Sequence, residues 1–484
     1  MWKAVIFLHM VICRISHICC AVCFAVMYGL TLKQELMKIK RHRKLIIFVS
    51  IGLLIILLNA AAWNSRVFSD WYIANIFPIW VNLYGRVTGI FPFSVGEWML
   101  GAGVVLVAFA LLLGLLCALM GAVCGIRRLG RICGAGQSGS HRGQTSGAGS
   151  LGGAAGGQAI DEGGTEDMVR SRAVSGGFWR FAAGFYRFFV WTLLTVCLVM
   201  TLNCFILYHA STFSEHYFGE DDGEYDLTEL IAVYNIVAEK CNELAAVMER
   251  DEAGRVIYTG SGGELKDAEY RVQLDALADR ARELMRQLGK TYPQLDGFYP
   301  RPKALLTSDF MCQQYMKGYY FPFSMEANYN DVMQILNMPE TMCHELAHLR
   351  GYIFEDEANF IAYLACTQSD DLFFQYSGYL GVLVYLNNDI YRAWEESRVS
   401  YEEAVAVVQP VAVDSQVWAD DVFVTQEEWD RINGKALIDT EIVDEISDAF
   451  IDTNLKVNGV TDGAVSYSRV VRLLLQYYRD NTDL

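Results

Sequence analysis

Long apolar runs dominate the first part of the chain, whereas apolar and polar positions alternate at helical spacing in the rest. An almost unbroken apolar run covers residues 45–63. At a rise of 1.5 Å per residue such a run spans roughly 28 Å, about the thickness of a hydrocarbon core. Comparable runs cover residues 99–124 and 188–207. The pattern predicts three transmembrane helices, which makes the lipid bilayer the first predicted partner.

The segments around these runs differ in composition. Residues 1–36 precede a second plausible start at Met37, and we interpret them as an upstream extension or as an additional, poor membrane helix. Residues 37–133 form the predicted membrane region, and a loop ending in aromatics suited to a membrane interface joins its two spans. Residues 134–180 are rich in Gly and Ser, which predicts a flexible linker.

Residues 208–484 are predicted to form one soluble, α-rich domain with a small β element. Residues 226–252 and 264–288 carry apolar positions at three- and four-residue steps, which predicts amphipathic helices. Short strands are predicted at 303–306 and 318–323, and a helix at 371–394. Four further segments, two of them solvated surface and two helices, are predicted at 402–411, 425–433, 444–455 and 467–478.

Charge is divided unevenly between the two parts. Residues 1–207 hold 18 Lys and Arg against 7 Asp and Glu, and residues 208–484 hold 21 against 49. Cations crowd the segment before the first span and the loop between the second and third spans, which predicts a cytoplasmic N-terminus and a soluble domain outside. The acidic domain argues against nucleic acid as a partner, because nucleic-acid binding needs clustered cations.

Cysteines do not form a recognisable framework. Most of the 13 fall in apolar runs, where a thiol packs as a small hydrophobe. Cys241, Cys312, Cys343 and Cys366 lie in the soluble domain, and their spacing fits no zinc knuckle. The sequence assigns no disulfide bonds.

An HExxH motif is the strongest chemical signal in the chain. Pro339 suits the first turn of a helix and Gly351 the residue just past its end. His344 and His348 are spaced by four, so both imidazoles lie on one face and can share one Zn²⁺. Glu345 lies beside them and can receive a proton from water.

A third ligand must come from a carboxylate, because no histidine follows His348. Glu355 and Glu357 are the candidates on the next predicted helix. Asn359 lies one turn after Glu355 and can hold a ligating histidine in place. Glu357 shares its stripe with apolar residues, so we favour Glu355 and keep Glu357 as the alternative.

Several stretches resemble a known family. GYYFPFSMEANYN at 318–330, HELAHLRG at 344–351, EDEANFIAYLAC at 355–366 and NLKVNGVTDGAVSYSRVV at 454–471 resemble the bacterial membrane-protein family catalogued as domain of unknown function 3810. The resemblance covers most of the chain from about Met37 and implies a zincin-like fold in a multi-pass protein of the bacterial cytoplasmic membrane.

The EDEAN run also resembles the ExxAD signature of membrane metallopeptidases that process prenylated or misfolded proteins. There the first Glu is the metal ligand, which corresponds to Glu355. Asn359 stands where that signature has Asp, so the residue that would hold the histidine departs from the pattern.

The resemblance implies further residues at the site. In zincins a strand upstream of the metal helix lies along the cleft and pairs with an extended substrate. The residues expected to line this cleft are Tyr319, Tyr320, Glu326 and Asn328. An aromatic hairpin that fills the core is the alternative. Independently of the resemblance, no histidine is available downstream to stabilise an oxyanion, so the candidates for that role are tyrosines: Tyr376, Tyr379 and Tyr467.

These expectations combine into a membrane-anchored zinc metallopeptidase that hydrolyses a peptide or protein substrate outside the cytoplasmic membrane, with Glu345 as the base. An intramembrane protease is disfavoured, because charged residues such as Glu340 and Arg350 crowd the motif. The non-enzymatic alternative is a membrane-anchored sensor or interaction protein with a structural zinc site. Structural sites normally use four protein ligands.

Overall fold

The computed structural model describes residues 38–135, 162–219, 225–260, 265, 268–445, 447 and 468–481. They are mainly helical and include one small sheet, which confirms the predicted fold class at that level. The zincin-like architecture stays a prediction. The chain divides into two compact units. One contains Val49–Leu100 and Val196–Leu484, and the other contains Gly101–Thr195 together with the segment that ends at Phe48.

The first five helices are α1 (Lys38–Asn64), α2 (Arg66–Asn75), α3 (Phe77–Thr88), α4 (Val95–Ala135) and α5 (Glu162–Met200). Three stretches of these helices are long and apolar enough to cross a membrane, namely Arg43–Asn64, Val95–Ala122 and Gly176–His209. The last continues beyond α5 through a π-helical turn and a 3-10 turn. These stretches contain or overlap the three predicted spans.

Two connections differ from their predictions. The predicted loop between the first two spans folds as α2 and α3, with Ser65 capping α2 by accepting from Phe68 N at 3.2 Å. Residues 162–180, predicted as linker, belong to α5, because good helix formers in this stretch replace the Gly/Ser repeat. Residues 1–36 and 136–161 lie outside the described residues.

The remaining helices are α6 (Phe213–Tyr217), α7 (Leu227–Val247), α8 (Tyr270–Leu288), α9 (Ser308–Cys312), α10 (Met338–His348), α11 (Glu355–Thr367), α12 (Leu372–Glu396), α13 (Arg398–Val407), α14 (Ser415–Asp420), α15 (Gln426–Lys435) and α16 (Ser468–Asn481). Local caps explain several starts. Asp226 and Glu229 form a capping box on α7, and Asp371 accepts from Phe373 N at the start of α12. The predicted helix 444–455 lies almost entirely outside the described residues.

The sheet has three short strands in the order β1-β3-β2. β1 (Lys303–Ala304) pairs with β3 (Glu326–Tyr329) in parallel, and β2 (Gly318–Phe321) pairs with β3 in antiparallel register. The sequence predicted β1 and β2 but not β3. β2 is therefore an edge strand of this sheet, and it lies beside α10.

α10 lies at the centre of the first unit. All of its residues are buried, and it packs against α8, α11, α12 and the β2–β3 hairpin. α2 and α3 belong to the same core, to which they contribute Tyr72, Ile73, Phe77 and Val81. The second unit has its own small core, in which Tyr186 donates to the Ala110 carbonyl at 2.7 Å.

Candidate metal centre

α10 ends where the chain turns back toward α11. Pro339 stands in its first turn, where a missing backbone N–H costs nothing. Gly351 follows with φ +95°, a left-handed conformation that a Cβ would strain. A Cβ there would also lie 2.7 Å from Ile73 Cγ2 of α2. The tight return places the first residue of α11, Glu355, opposite the histidines of α10.

Three side chains converge in this turn. His344 Nε2 lies 3.1 Å from His348 Nε2 and 3.0 Å from Glu355 Oε2. The distance from His348 Nε2 to Glu355 Oε2 is 4.0 Å. One ligand atom from each of the three residues lies within 4.8 Å of the others, a grouping able to hold a metal ion.

Outer hydrogen bonds fix both imidazoles. His344 Nδ1 lies 2.7 Å from Asn359 Oδ1, and His348 Nδ1 lies 2.6 Å from the carbonyl of Tyr352. Because an amide or backbone oxygen only accepts, each Nδ1 carries the proton it donates. The Nε2 atoms of both rings are thereby directed at Glu355, as they are in metal sites whose histidines are held from behind.

Burial and mutual charge set the protonation of this cluster. Burial is the largest single influence on His344 and lowers its pKa, but the hydrogen bond to Glu355 and the negative charges of Glu355, Glu345 and Glu340 together raise the pKa to about 9. Burial raises the pKa of Glu355, and its contacts with His344 overcome this and lower it to about 2. Burial lowers the pKa of His348 to about 3. Without a metal the cluster is an ion pair beside a neutral imidazole.

Glu345 lies beside this cluster and against the edge strand. A Cβ built on Gly318 of β2 would come within 2.9 Å of Glu345 Oε1, so only a glycine lets the carboxyl lie there. Glu345 Oε2 is buried, and no described residue offers it a hydrogen bond. Burial raises the pKa of Glu345 to about 8, with the His344 charge opposing. A carboxyl in this state is able to exchange a proton near neutral pH.

The donor set suits a Zn²⁺ ion. Two imidazole nitrogens and one carboxylate oxygen form a three-ligand set that leaves further coordination positions open. The buried Oε1 of Glu355 has no hydrogen-bond partner among the described residues, an unpaired state that a cation would relieve. The Glu355 side chain is 29% exposed, whereas those of His344 and His348 are 10% and 0% exposed.

Glu357, the alternative ligand, is engaged elsewhere. Its Oε1 accepts from the backbone N–H of Phe213 at 2.5 Å, and it is absent from the His344, His348 and Glu355 group. Burial raises the pKa of Glu357 well above its ordinary value.

The predicted cleft residues have unequal surroundings. The Tyr320 ring lies 6.1 Å from the His348 ring, and its hydroxyl donates to the Asn203 carbonyl. Asn328 donates to the Tyr319 carbonyl at 3.3 Å across the hairpin. Both tyrosines are buried, as the core-filling alternative expects. The Tyr320 ring lies beside His348, and contact of either tyrosine with a substrate stays a prediction.

Glu326 has a complete set of partners away from the histidines. Lys303 Nζ lies 2.5 Å from Glu326 Oε1, and the N–H groups of Val95 and Gly96 donate to the same carboxylate at 3.2 and 2.7 Å. The carboxylate therefore binds the N-terminus of α4, where a helix favours an anion. This contact gives Glu326 a structural task that the sequence did not suggest.

Two of the three oxyanion candidates, Tyr376 and Tyr379, lie on α12. The Tyr376 hydroxyl donates to Asp420 at 2.8 Å, so its proton is already engaged. The Tyr379 ring packs edge-on against Tyr363 at 5.7 Å. Tyr467 lies outside the described residues.

The four cysteines of residues 208–484, Cys241, Cys312, Cys343 and Cys366, are buried and free. Cys343 Sγ and Cys366 Sγ lie 3.9 Å apart between α10 and α11. Cys343 therefore points away from the ligand face that His344 presents.

Several residues of the site escaped the sequence analysis. Tyr352 contributes only its carbonyl, Gly318 only its lack of a side chain, and Tyr385 a hydroxyl 3.4 Å from Asn359 Nδ2. Backbone groups leave no trace in residue identity. The glycine at the start of the aromatic strand was the one available signal, because glycine in a strand often marks a close approach.

A comparison with known protein families gives one match, which includes the site residues described above. Residues 169–475 match the family described as Protein of unknown function (DUF3810), and the chain belongs to that family. The match confirms the family suggested by the sequence motifs. No curated protein and no solved structure matches the chain.

Proposed function

We propose that this protein is a membrane-anchored, zinc-dependent metallopeptidase that hydrolyses peptide bonds outside the cytoplasmic membrane. The observation that carries the proposal is the convergence of His344, His348 and Glu355 beside the unpaired carboxyl of Glu345. A purely structural site has no use for such a carboxyl.

In this proposal His344, His348 and Glu355 hold the ion. When bound, Zn²⁺ would supply Lewis acidity and lower the pKa of bound water from far above neutral to about 7. Glu345 accepts the proton of the attacking water and later donates it to the leaving amine, so the proton is conserved over the reaction. Asn359 and the Tyr352 carbonyl keep the Nε2 atoms in place throughout.

Charge distribution supports the location. The three apolar helices are long enough for three spans, and the cationic residues cluster where a cytoplasmic side is expected. With three spans and the N-terminus in the cytoplasm, residues 208–484 lie outside the cytoplasmic membrane. A C-terminal reporter that is active only in the cytoplasm would contradict this orientation.

The test is Glu345→Gln in the full chain purified in detergent and loaded with zinc. We expect about one zinc per chain in wild type and variant, with peptide hydrolysis reduced by about 10²–10⁴-fold in the variant. Hydrolysis of a peptide library, read by mass spectrometry, also shows which bonds are cut. Equal hydrolysis in both proteins would exclude Glu345 as the base.

His344→Ala is the matched variant for the metal. It should abolish zinc retention, whereas Glu345→Gln should keep it. Zinc retention with no hydrolysis in wild type across the library would favour the sensor or interaction protein with a structural zinc site.

A further inference from the structure

α2 and α3 carry an apolar stripe that faces away from the core. Val67 and Trp71 lie four residues apart on α2, and Ile79, Leu83 and Val87 follow the same spacing on α3. Their exposed fractions lie between 52% and 78%. Residues four apart share one face of a helix, so the stripe is continuous along each helix.

The opposite face of α3 is also apolar, and it is buried. Phe77 and Val81 lie in the core of the first unit, and Thr88 Oγ1 donates to the Ser324 carbonyl at 3.0 Å. A helix on the surface of a soluble protein presents polar residues to water. One apolar face of α3 therefore packs against the protein core, and the other apolar face is exposed.

The segment continues this character beyond α3. Ile90, Phe91 and Trp98 are also exposed. The two acidic side chains of the segment are turned to backbone partners: Asp70 accepts from Ser211 N, and Glu97 accepts from Thr307 N. The exposed surface of the segment is then mainly aromatic and aliphatic, with Arg66 and Arg86 as its cations, which is the composition of a membrane interface.

The candidate spans on either side of this segment indicate what covers its exposed face. The segment leaves one candidate span at Asn64 and enters the next at Val95. Both ends therefore lie at the same membrane surface, and the exposed stripe lies between them. We propose that the outward face of α2 and α3 lies in the interfacial layer of the lipid bilayer. This inference goes beyond the proposed hydrolysis and does not depend on it.

Contacts from the buried side of these helices reach the cluster of His344, His348 and Glu355. Ile73 of α2 lies against Gly351, which closes α10. Tyr208, at the end of the third candidate span, packs edge-on against Phe354 at 5.4 Å, one residue before Glu355. The lipid-facing helices and the span end therefore hold the two sides of the turn between His348 and Glu355, which keeps the cluster at the membrane surface.

The test is lipid photocrosslinking from Leu83. The full chain carrying benzoylphenylalanine at position 83 is reconstituted in vesicles of equal parts phosphatidylcholine and phosphatidylglycerol, irradiated, and analysed by intact mass. Ile56, 64% exposed in the first candidate span, is the positive reference, and Val407, 75% exposed on α13, is the control. We expect lipid adduct at 83 within about twofold of position 56 and at least about fivefold above position 407.

An adduct yield at 83 no higher than at 407, or crosslinking to a second copy of the chain, overturns the proposal. Position 71, which replaces Trp71 on the same stripe, provides a second probe should the first variant aggregate. Monodisperse elution in detergent identifies the variants that have folded. The readout is independent of metal and of hydrolysis, so a failure of the proposed function leaves it unaffected.

Discussion

Two buried clusters of charged side chains lie beside the same small sheet, and they differ in how completely their atoms are paired. Lys303 Nζ donates to the carbonyls of Thr88 and Phe93 and to Glu326, which uses all three of its protons. Glu326 accepts from Lys303 and from two backbone N–H groups of α4. In the second cluster, formed by His344, His348 and Glu355 with Glu345 beside them, Glu345 Oε2 and Glu355 Oε1 are buried without a hydrogen bond from the described residues.

The difference separates a structural site from a ligand site. A cluster that satisfies every donor and acceptor has nothing left to offer a ligand, so its energy goes into holding α4 against the sheet. A cluster with buried, unpaired oxygens costs free energy unless something else pairs them. The comparison predicts that variants of Lys303 change stability, whereas variants around His344 change metal binding.

Lys303→Met should give the largest effect on stability. It leaves the Glu326 carboxylate buried without its cation, which typically costs about 3–5 kcal/mol of unfolding free energy. We expect a clear fall in the apparent melting temperature of the chain in detergent with a chelator present. Zinc stoichiometry of the folded fraction should be unchanged.

Lys303→Met with Glu326→Gln is the matched control. The glutamine carbonyl still accepts from Gly96 N, and no charge is left unpaired, so the double variant should recover much of the lost stability. A double variant no more stable than Lys303→Met, or loss of zinc from the folded single variant, would break the comparison.

Glu355→Gln and Glu357→Gln test the metal cluster directly. Loss of a ligand should weaken zinc binding by more than about 100-fold, beyond the range for residues that only hold a ligand in place. Glu357→Gln should bind zinc like wild type, because a glutamine carbonyl still accepts from Phe213 N. Competition with a fluorescent zinc chelator gives both affinities. If Glu357→Gln lost zinc and Glu355→Gln kept it, Glu357 would be the ligand and our assignment to Glu355 would be wrong.

The sequence predicted the parts of the site that depend on local spacing. His344 and His348 are one turn apart on any helix, and Glu355 and Asn359 are one turn apart on the next. The structure places these four side chains in one group, as the spacing and the motif resemblance led us to expect. Local periodicity also located both ends of α12 within two residues, whereas the predicted end of α7 lies five residues too late and the predicted start of α8 six residues too early.

Features that depend on distant partners could not be predicted. Lys303 and Glu326 meet through the pairing of β1 with β3, and their remaining partners come from residues about 210 to 230 positions earlier. The sequence predicts a loop where α2 and α3 form. Both helices are apolar on two faces, so they lack the single apolar stripe by which an amphipathic helix is recognised. Pro78 stands in the first turn of α3, where its missing N–H costs no hydrogen bond.

The stability of the metal-free protein should depend on pH through the cluster around His344 and not through the Lys303–Glu326 pair. The folded pKa of His344 is raised from 6.5 to about 9, and that of Glu345 from 4.5 to about 8. Each contribution to stability is complete below the unfolded pKa and is lost as pH rises through the folded one. With chelator present, the free energy of unfolding should fall as pH rises from about 6.5 to about 9, by about 3 kcal/mol for His344 alone at about 1.4 kcal/mol per pKa unit, and the melting temperature should fall with it. The Glu345 part of the loss extends from about pH 4.5 to about pH 8.

Glu355→Gln is the control for that slope, because it removes the partner that raises the pKa of His344. The variant should lose less stability than wild type across the same interval. Lys303→Met should keep the wild-type slope, since Lys303 does not touch His344. A wild-type melting temperature that is level from pH 6.5 to 9 would contradict the ion pair.

Asn359→Ala should have the smallest effect and tests whether the cluster is held from behind. Its side-chain oxygen accepts from His344 Nδ1, so alanine frees the ring to rotate and removes the acceptor that fixes its protonation. We expect zinc affinity to fall by about 10–100-fold with stoichiometry kept. Asn359→Asp restores an acceptor and should recover affinity, whereas an unchanged affinity in Asn359→Ala would show that α10 and the Tyr352 carbonyl alone orient the two histidines.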